Sequence, residues 1–372
     1  MIRLTKPDTE GSLETIRSVL EDGFLVQGKR VERFEAMVAA YARRKFAVAV
    51  NSGTSAIHCA LLSLGIGQGD EVIVPDFTFP ASANAVVTCG ATPVLADIDP
   101  ATFNLSIESL EAAITARTKA VMPVDLFGLG SDLPAIEALA CRSGLAVIED
   151  AACALGSAVA GKMCGAFGEA SAISFHPRKI VTTAEGGMVL TDDEGCADAV
   201  RRLRNHGMET SRGVTRFVAA GYNMRMNEIQ ACLGIDQMNR ISELVEGRRR
   251  AARQYGDLLR DASGVRAPSE PGGYLHTYQS YVVLLDRKID RDRVIQAMRA
   301  AGVETAIGTY AVHEQPFYME RYGYKPGSLP ASAEAFRQSL SLPMYHSIGE
   351  DTVGEVVARL KECIAAARRG TR

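Results

Sequence analysis

The feature that most constrains this chain is the alternation, between about residues 45 and 190, of short apolar runs with helical patterns. Ala47-Val48-Ala49-Val50 reads as a buried strand, and Thr54 to Leu64 as the helix after it. Glu71-Val72-Ile73-Val74 is a second strand, followed by a helix from about Pro80. Pro93-Val94-Leu95-Ala96, Ala120-Val121-Met122-Pro123-Val124 and Leu145-Ala146-Val147-Ile148 continue the series. Strands with no polar face must be covered on both sides, which calls for an α/β fold: a mostly parallel sheet sandwiched by helices. In such sheets ligands bind beyond the carboxyl ends of the strands, so chemistry is sought there.

The pattern changes after Gly187. Met188-Val189-Leu190 resembles another strand, Ala197 to His206 a helix, and Asn227 to about Ala262 one long helix. Ala267 to Gly273, with two prolines and two glycines, reads as a linker. Tyr281 to Leu285 is a strand, and Asp290 caps a helix that runs to about Ala301. A last helix is expected from about Ile348 to Arg368, with Ser347 and Glu350 as a capping box. This order predicts a large domain over residues 1–245 and a smaller C-terminal α/β domain over 246–372, joined inside the long helix. A chain of 372 residues is long enough for both cores.

Several function classes are disfavoured. A formal net charge of −3 argues against a nucleic-acid binder, which needs clustered cations. The densest basic run, Arg248-Arg249-Arg250, shares a helical pattern with Glu243 and Glu246 and reads as a solvated face. The first residues lack the apolar core of a signal peptide, and no stretch nears the roughly 20 apolar residues of a membrane span. None of the eight cysteines forms a Cys-x-x-Cys pair, so neither a metal site nor a disulfide framework is expected, and a reducing cytoplasm fits. Gly65-Ile66-Gly67-Gln68-Gly69-Asp70 imitates a dinucleotide fingerprint but follows a helix and precedes a strand, the reverse of the required order.

Three segments just after strands complement one another. In Asn51-Ser52-Gly53-Thr54-Ser55, a glycine admits an anion close to the backbone, and a helix N-terminus favours phosphate. A plain N-cap would use the same residues. Glu149-Asp150-Ala151-Ala152-Cys153 ends an apolar strand in two acids whose side chains point to opposite faces. Buried carboxylates are costly unless paired, so a charged partner is expected, either a ligand cation or a structural ion pair. Ser174-Phe175-His176-Pro177-Arg178-Lys179 leads to Glu185-Gly186-Gly187. A lysine amine is nucleophilic toward a carbonyl when burial or a nearby cation, here Arg178 or a cofactor, disfavours its protonated form. An exposed loop lysine is the bland alternative. Together the three supply a phosphate cradle, an acid for a ring nitrogen and a Schiff-base lysine, the inventory of pyridoxal 5'-phosphate (PLP) chemistry.

With these motifs, and with Val26 to Glu35, Gly221-Tyr222-Asn223-Met224-Arg225-Met226 and Ser341-Leu342-Pro343, the sequence resembles the DegT/StrS-type sugar aminotransferases over nearly its whole length. The resemblance implies the type I, aspartate-aminotransferase fold. It implies that Lys179 carries the cofactor and shuttles the proton, and that Asp150 pairs with the pyridine nitrogen. Gly53, Thr54, Ser55 and Ser174 would hold the phosphate, and Phe79 would lie against the ring. Asn223 would reach the phosphate of a neighbouring subunit, which makes a homodimer with shared sites. Cys153 stands where the family often has Gln or His near the ring oxygen, and a thiol is a weaker hydrogen-bonding group. The segment Gly308 to His313 falls where substrate-facing residues are expected, with Tyr310, His313 and the region of Gln27 as candidate contacts. His176 and His206 read as structural.

The implied reaction moves an amino group from L-glutamate to a nucleotide-linked keto sugar, with a 4-keto-6-deoxyhexose as the expected acceptor. Dehydratase relatives carry histidine at the lysine position, so Lys179 favours transamination over dehydration or another lyase reaction. A cofactor-binding regulator without turnover is the remaining alternative.

Overall fold

The computed structural model describes residues 1–369. Its centre is a seven-stranded sheet. In chain order the strands are β1 (Phe46–Val50), β2 (Glu71–Pro75), β3 (Thr92–Ala96), β4 (Thr118–Val121), β5 (Ala146–Asp150), β6 (Ala170–Ser174) and β7 (Gly187–Thr191). Their order across the sheet is β1-β7-β6-β5-β4-β2-β3. The neighbours from β6 to β3 run parallel, whereas β7 is antiparallel to both β6 and β1. The link from β6 to β7 holds no helix, so the chain turns back directly rather than crossing over. That hairpin-like link carries Lys179 and leaves it at the carboxyl end of β6.

The period of two along each strand sorts side chains between two cores. Ala47, Ala49, Ile173, Met188 and Leu190 face one, which Lys29–Ala42 and Glu228–Met238 close with Phe34, Val38 and Ile235. Val48, Val50, Ala172 and Val189 face the other, closed by Gly53–Ser63 and Glu194–Leu203. Neither face is left to solvent, as the unbroken apolar runs required.

The C-terminal part builds its own antiparallel sheet from Val265–Arg266, Tyr281–Leu285, Ser339–Leu342 and Ala306–Ile307, in that order. Its core contains Tyr255, Tyr281, Met298, Val353 and Leu360. The N-terminus joins it: Ile2 bridges Val303, and the Leu4 carbonyl accepts from Met344 N–H at 3.0 Å. The expected division near residue 245 falls inside the helix Ile241–Leu259.

Two local expectations differ from the structure. The single helix over 227–262 is two, Glu228–Met238 and Ile241–Leu259, with Arg240 between them at φ −118 and ψ 12. The first packs on Lys29–Ala42 and the second on Glu350–Arg369. The last helix begins at Glu350, not Ile348. The Ile348 N–H closes a turn onto the Tyr345 carbonyl at 3.2 Å, and Gly349 O takes the first helical bond from Val353 at 3.1 Å, so Ser347 stays outside. Asp290 caps Arg291–Ala300 as expected, accepting from Asp292 and Arg293 N–H.

The two acids ending β5 do point to opposite faces, but Glu149 has no ion pair among the described residues. It is fully buried and accepts from Gly165 N–H at 2.7 Å, Phe167 N–H at 3.0 Å and the Ser171 hydroxyl at 2.8 Å. Arg44, which shares Ser171 and Phe167 with this network, pairs with Asp192 at 2.9 Å instead. The neighbour of Glu149 is another carboxyl, Asp125, also fully buried; their ligand atoms and Cys164 Sγ lie within 4.8 Å of one another. Asp125 receives one bond, from Ser131 N–H at 2.8 Å. Burial first, and the charge of Glu149 second, push the pKa of the Asp125 carboxyl well above the usual carboxylate range, and its Oδ2 is buried without a hydrogen-bond partner among the described residues.

Such a group binds its proton more tightly in the native state. Its stabilising effect is fully present below the unfolded pKa and is lost as pH rises toward the folded one. Asp125→Asn keeps the shape and donates an amide hydrogen without needing a proton. Its stability relative to the parent, measured by denaturant unfolding, is expected to rise between pH 5 and pH 8 by about 1 kcal/mol or more. Identical pH slopes for the two proteins would refute the raised pKa of Asp125.

Candidate active site

The carboxyl ends of β1, β5 and β6 bring the three motif segments to one edge. After β1, Ser52 caps the helix Gly53–Ser63 by accepting from Ser55 N–H at 3.1 Å, and the Ser55 hydroxyl donates to Asn51 Oδ1 at 2.7 Å. The cap leaves two donors over: among the described residues, the Gly53 and Thr54 N–H groups have no acceptor. Ser174, the last residue of β6, lies against this helix start. A Cβ added at Gly53 would stand 2.6 Å from Ser174 Cβ and 2.9 Å from its Oγ, so only glycine lets the two segments meet. Thr54 is exposed, Ser55 half-buried and Ser174 buried.

Asp150 ends β5 on the same edge at 4% exposure. Its Oδ2 accepts from the Ser82 hydroxyl at 2.7 Å and its Oδ1 from Ala152 N–H at 3.1 Å. Burial raises its pKa; the Ser82 bond, the Ala152 bond and the charge of Lys179 oppose that rise. Lys179 is half-buried in the turn after β6, where its N–H donates to the His176 carbonyl at 2.8 Å. Its Nζ donates to Cys153 Sγ at 2.9 Å. Asp150, Cys153 and Lys179 are thus brought together from two strands. Arg178 is exposed, and its carbonyl is tied to Gln279 Nε2 at 2.7 Å.

Phe79 is 64% exposed, whereas Phe77, two residues before it, is fully buried. The ring of Phe79 lies 6.4 Å from that of Tyr310. Asn223 is exposed and makes no side-chain bond among the described residues; beside it, the Met224 carbonyl accepts from Asn51 N–H at 2.9 Å. Gln27 sits near αL with φ 47, and its buried Oε1 has no partner among the described residues. His176 accepts from Arg178 N–H at 3.3 Å, and His206 donates its N–H to the Tyr222 carbonyl at 2.8 Å, both consistent with holding loops.

His313 differs from its expectation. It is fully buried, with Nδ1 2.6 Å from Asp76 Oδ2, and so cannot touch a substrate from solvent. Sequence reasoning also passed over Asp76 and Ser82. Asp76 carried the signal that picked out Asp150, an acid directly after an apolar strand. Ser82 carried none, because its reach to Asp150 depends on how Ala81–Thr88 lies across the sheet edge.

The sequence profile of the DegT/DnrJ/EryC1/StrS aminotransferase family matches residues 7–361. GDP-perosamine synthase of Caulobacter vibrioides is 40% identical over 340 residues, which cover 91% of each chain. DesV of S. venezuelae superposes with a TM-score of 0.89 at 35% identity, covering 94% of this chain and 93% of its own. Spr1654 of Streptococcus pneumoniae, solved in its PLP form, gives a TM-score of 0.93 at 26% identity over 98% of both chains. Family members are PLP-dependent, and the match extends along nearly the whole chain. The chain therefore belongs to the DegT/DnrJ/EryC1/StrS aminotransferase family, and it is a sugar aminotransferase with the type I, aspartate-aminotransferase fold.

Proposed function

We propose that this enzyme moves an amino group from L-glutamate to a nucleotide-linked keto sugar, with a 4-keto-6-deoxyhexose as acceptor, in a reducing cytoplasm. The observation that carries the proposal is the meeting of Lys179, Asp150 and the unpaired N–H groups of Gly53 and Thr54 at one sheet edge. A relative named for a GDP-linked sugar supports a nucleotide on the substrate.

The donor set fits PLP. Unpaired amides at a helix start, beside the hydroxyls of Ser55 and Ser174, suit a phosphate. A carboxylate whose pKa burial raises, against the opposing pull of the Ser82 and Ala152 bonds and the Lys179 charge, gains from a cationic partner such as a protonated pyridine nitrogen. When bound, PLP supplies the electron sink that lets a bond at the amino-bearing carbon break. Ser82 and Ala152 orient the Asp150 carboxylate, which would hold the proton on a bound ring nitrogen. Phe79, projecting from the edge, would pack on the ring. Cys153, 2.9 Å from the Lys179 amine, would adjoin the cofactor. Lys179 would hold the cofactor and move the proton at the substrate carbon as general base and acid. A lysine here, rather than histidine, supports transamination over dehydration.

A homodimer with shared sites is part of this reading. Asn223 offers an unengaged amide at the surface. The hairpin Met208–Ser211 with Val214–Phe217 projects nearby, with Phe217 70% and Val214 55% exposed. Apolar side chains on a projecting ribbon suit burial by a second copy. In this arrangement residues 1–245 form the cofactor-binding unit and 246–372 the smaller unit.

Purified, cofactor-loaded protein is expected to lose its visible absorbance when L-glutamate is added and regain it with a suitable keto sugar. A panel of nucleotide-linked 3-keto and 4-keto sugars, read by mass spectrometry, should return a product that keeps the donor nitrogen; a product without it would establish lyase chemistry instead. Lys179→Ala should lower turnover by about 10³-fold or more, and full activity in that variant would leave only a binding role. Mixing Lys179→Ala with Asn223→Ala protomers under exchanging conditions should restore about a quarter of parental activity, because half the dimers would hold one intact site of two. No recovery, with exchange verified, would place Asn223 outside a shared site.

A further inference from the structure

Asp76 follows β2 directly, at the carboxyl edge of the sheet, and is fully buried. Both oxygens of its carboxylate face one residue from the far end of the chain. His313 N–H donates to Oδ1 at 2.6 Å, and the His313 ring Nδ1 is 2.6 Å from Oδ2. With Asp76 ionised, Nδ1 must carry the hydrogen. The other ring nitrogen, Nε2, is buried without a hydrogen-bond partner among the described residues; Glu314 Oε1 lies 3.8 Å away. The imidazole is therefore held by one edge only, and that edge serves Asp76.

The pair sits at the end of a short β-ladder. Phe77–Thr78 pairs antiparallel with Tyr310–Ala311, with Tyr310 opposite Thr78 and Ala311 opposite Phe77. The Asp76 carbonyl accepts from Val312 N–H and Thr78 N–H, both at 3.0 Å. Two paired residues form a weak ladder, and a slip of one residue would turn Tyr310 to the opposite side. The two His313–Asp76 contacts oppose that slip. Phe79 and Tyr310 continue from this ladder, with Phe336 6.1 Å beyond Tyr310. The same strand reaches Asp150: Thr78 Oγ1 lies 3.3 Å from Ser82 Oγ, which donates to Asp150.

We propose that Asp76 and His313 are positioning residues that lock Tyr310 against Phe79, and thereby set the opening through which the keto sugar approaches Lys179, without touching substrate themselves. This rests on the placement of the cofactor beside Phe79 proposed above. The amino donor is smaller than a nucleotide-linked sugar, so a misplaced Tyr310 burdens the sugar half-reaction more than the glutamate half-reaction.

The test uses cofactor-loaded full-length enzyme and compares His313→Leu with His313→Asn, whose Nδ2 can replace the ring Nδ1 as donor to Asp76. His313→Leu is expected to raise KM for the keto sugar by about tenfold or more, with the single-turnover rate of glutamate bleaching within about threefold of the parent. His313→Asn should return KM to within about threefold. The visible circular dichroism of bound cofactor should shift in the leucine variant and recover in the asparagine variant. A folded leucine variant with parental KM and dichroism would overturn the proposal. So would an asparagine variant as impaired as leucine, which would give the ring a role beyond donating to Asp76. If the leucine variant does not fold, Asp76→Ala, which removes both acceptors of His313, decides on the same readouts: selective loss in the sugar half supports the lock, and parental behaviour excludes it. A parent enzyme that glutamate does not bleach would sink the proposed function; a bleaching parent with unaffected variants sinks only the positioning role.

Discussion

Two consecutive carboxyls close the fully buried end of β5, and the arrangement around them depends on how each is accommodated. A β-strand must send Glu149 and Asp150 to opposite faces. On one face Glu149 takes two backbone N–H groups and a serine hydroxyl, and lies beside Asp125, whose pKa is raised by burial and by the Glu149 charge. That network draws in the segment Cys164 to Ser171 and so holds β6 beside β5. On the other face Asp150 takes Ser82 and Ala152, and opens toward Lys179 at the end of the same β6. One strand thus both ties down its neighbour and presents an acid to the lysine that its neighbour delivers.

The turn from β6 into the antiparallel β7 completes this geometry. A crossover helix in that link would have carried Lys179 over a face of the sheet. The direct return leaves it at the edge, 2.9 Å from Cys153 and within electrostatic reach of Asp150. Close approach of backbones does the remaining work. Gly53 against Ser174, and Gly187 against the Ser52 carbonyl, bring the β1 and β6 ends together where any side chain would collide.

Much of this was legible in the residues. Continuous apolar runs such as Ala47 to Val50 implied a doubly covered, mostly parallel sheet, and the rule that ligands sit at carboxyl ends led to the Asn51, Asp150 and Lys179 segments. The misses share a physical cause. The residues imply a charged partner for one of the acids ending β5, but a sequence does not show which group the fold supplies to each. His313 is a candidate contact by the position of its segment; its ring turns inward to an acid more than two hundred residues away. The long helix over 227–262 was read as one because no proline or glycine interrupts the pattern at Asn239-Arg240, and the bend answers to two packing partners.

The sequence by itself determined the fold class, the family and the residue types at the site edge. These rest on local signals: hydrophobic period, cap residues, and acids or lysine placed directly after strands. The tertiary structure decided the partnerships: Ser82 with Asp150, Cys153 with Lys179, Asp125 with Glu149, and Asp76 with His313. Those contacts join residues far apart in the chain and depend on how strands stack and loops return, so no spacing or period in the sequence encodes them.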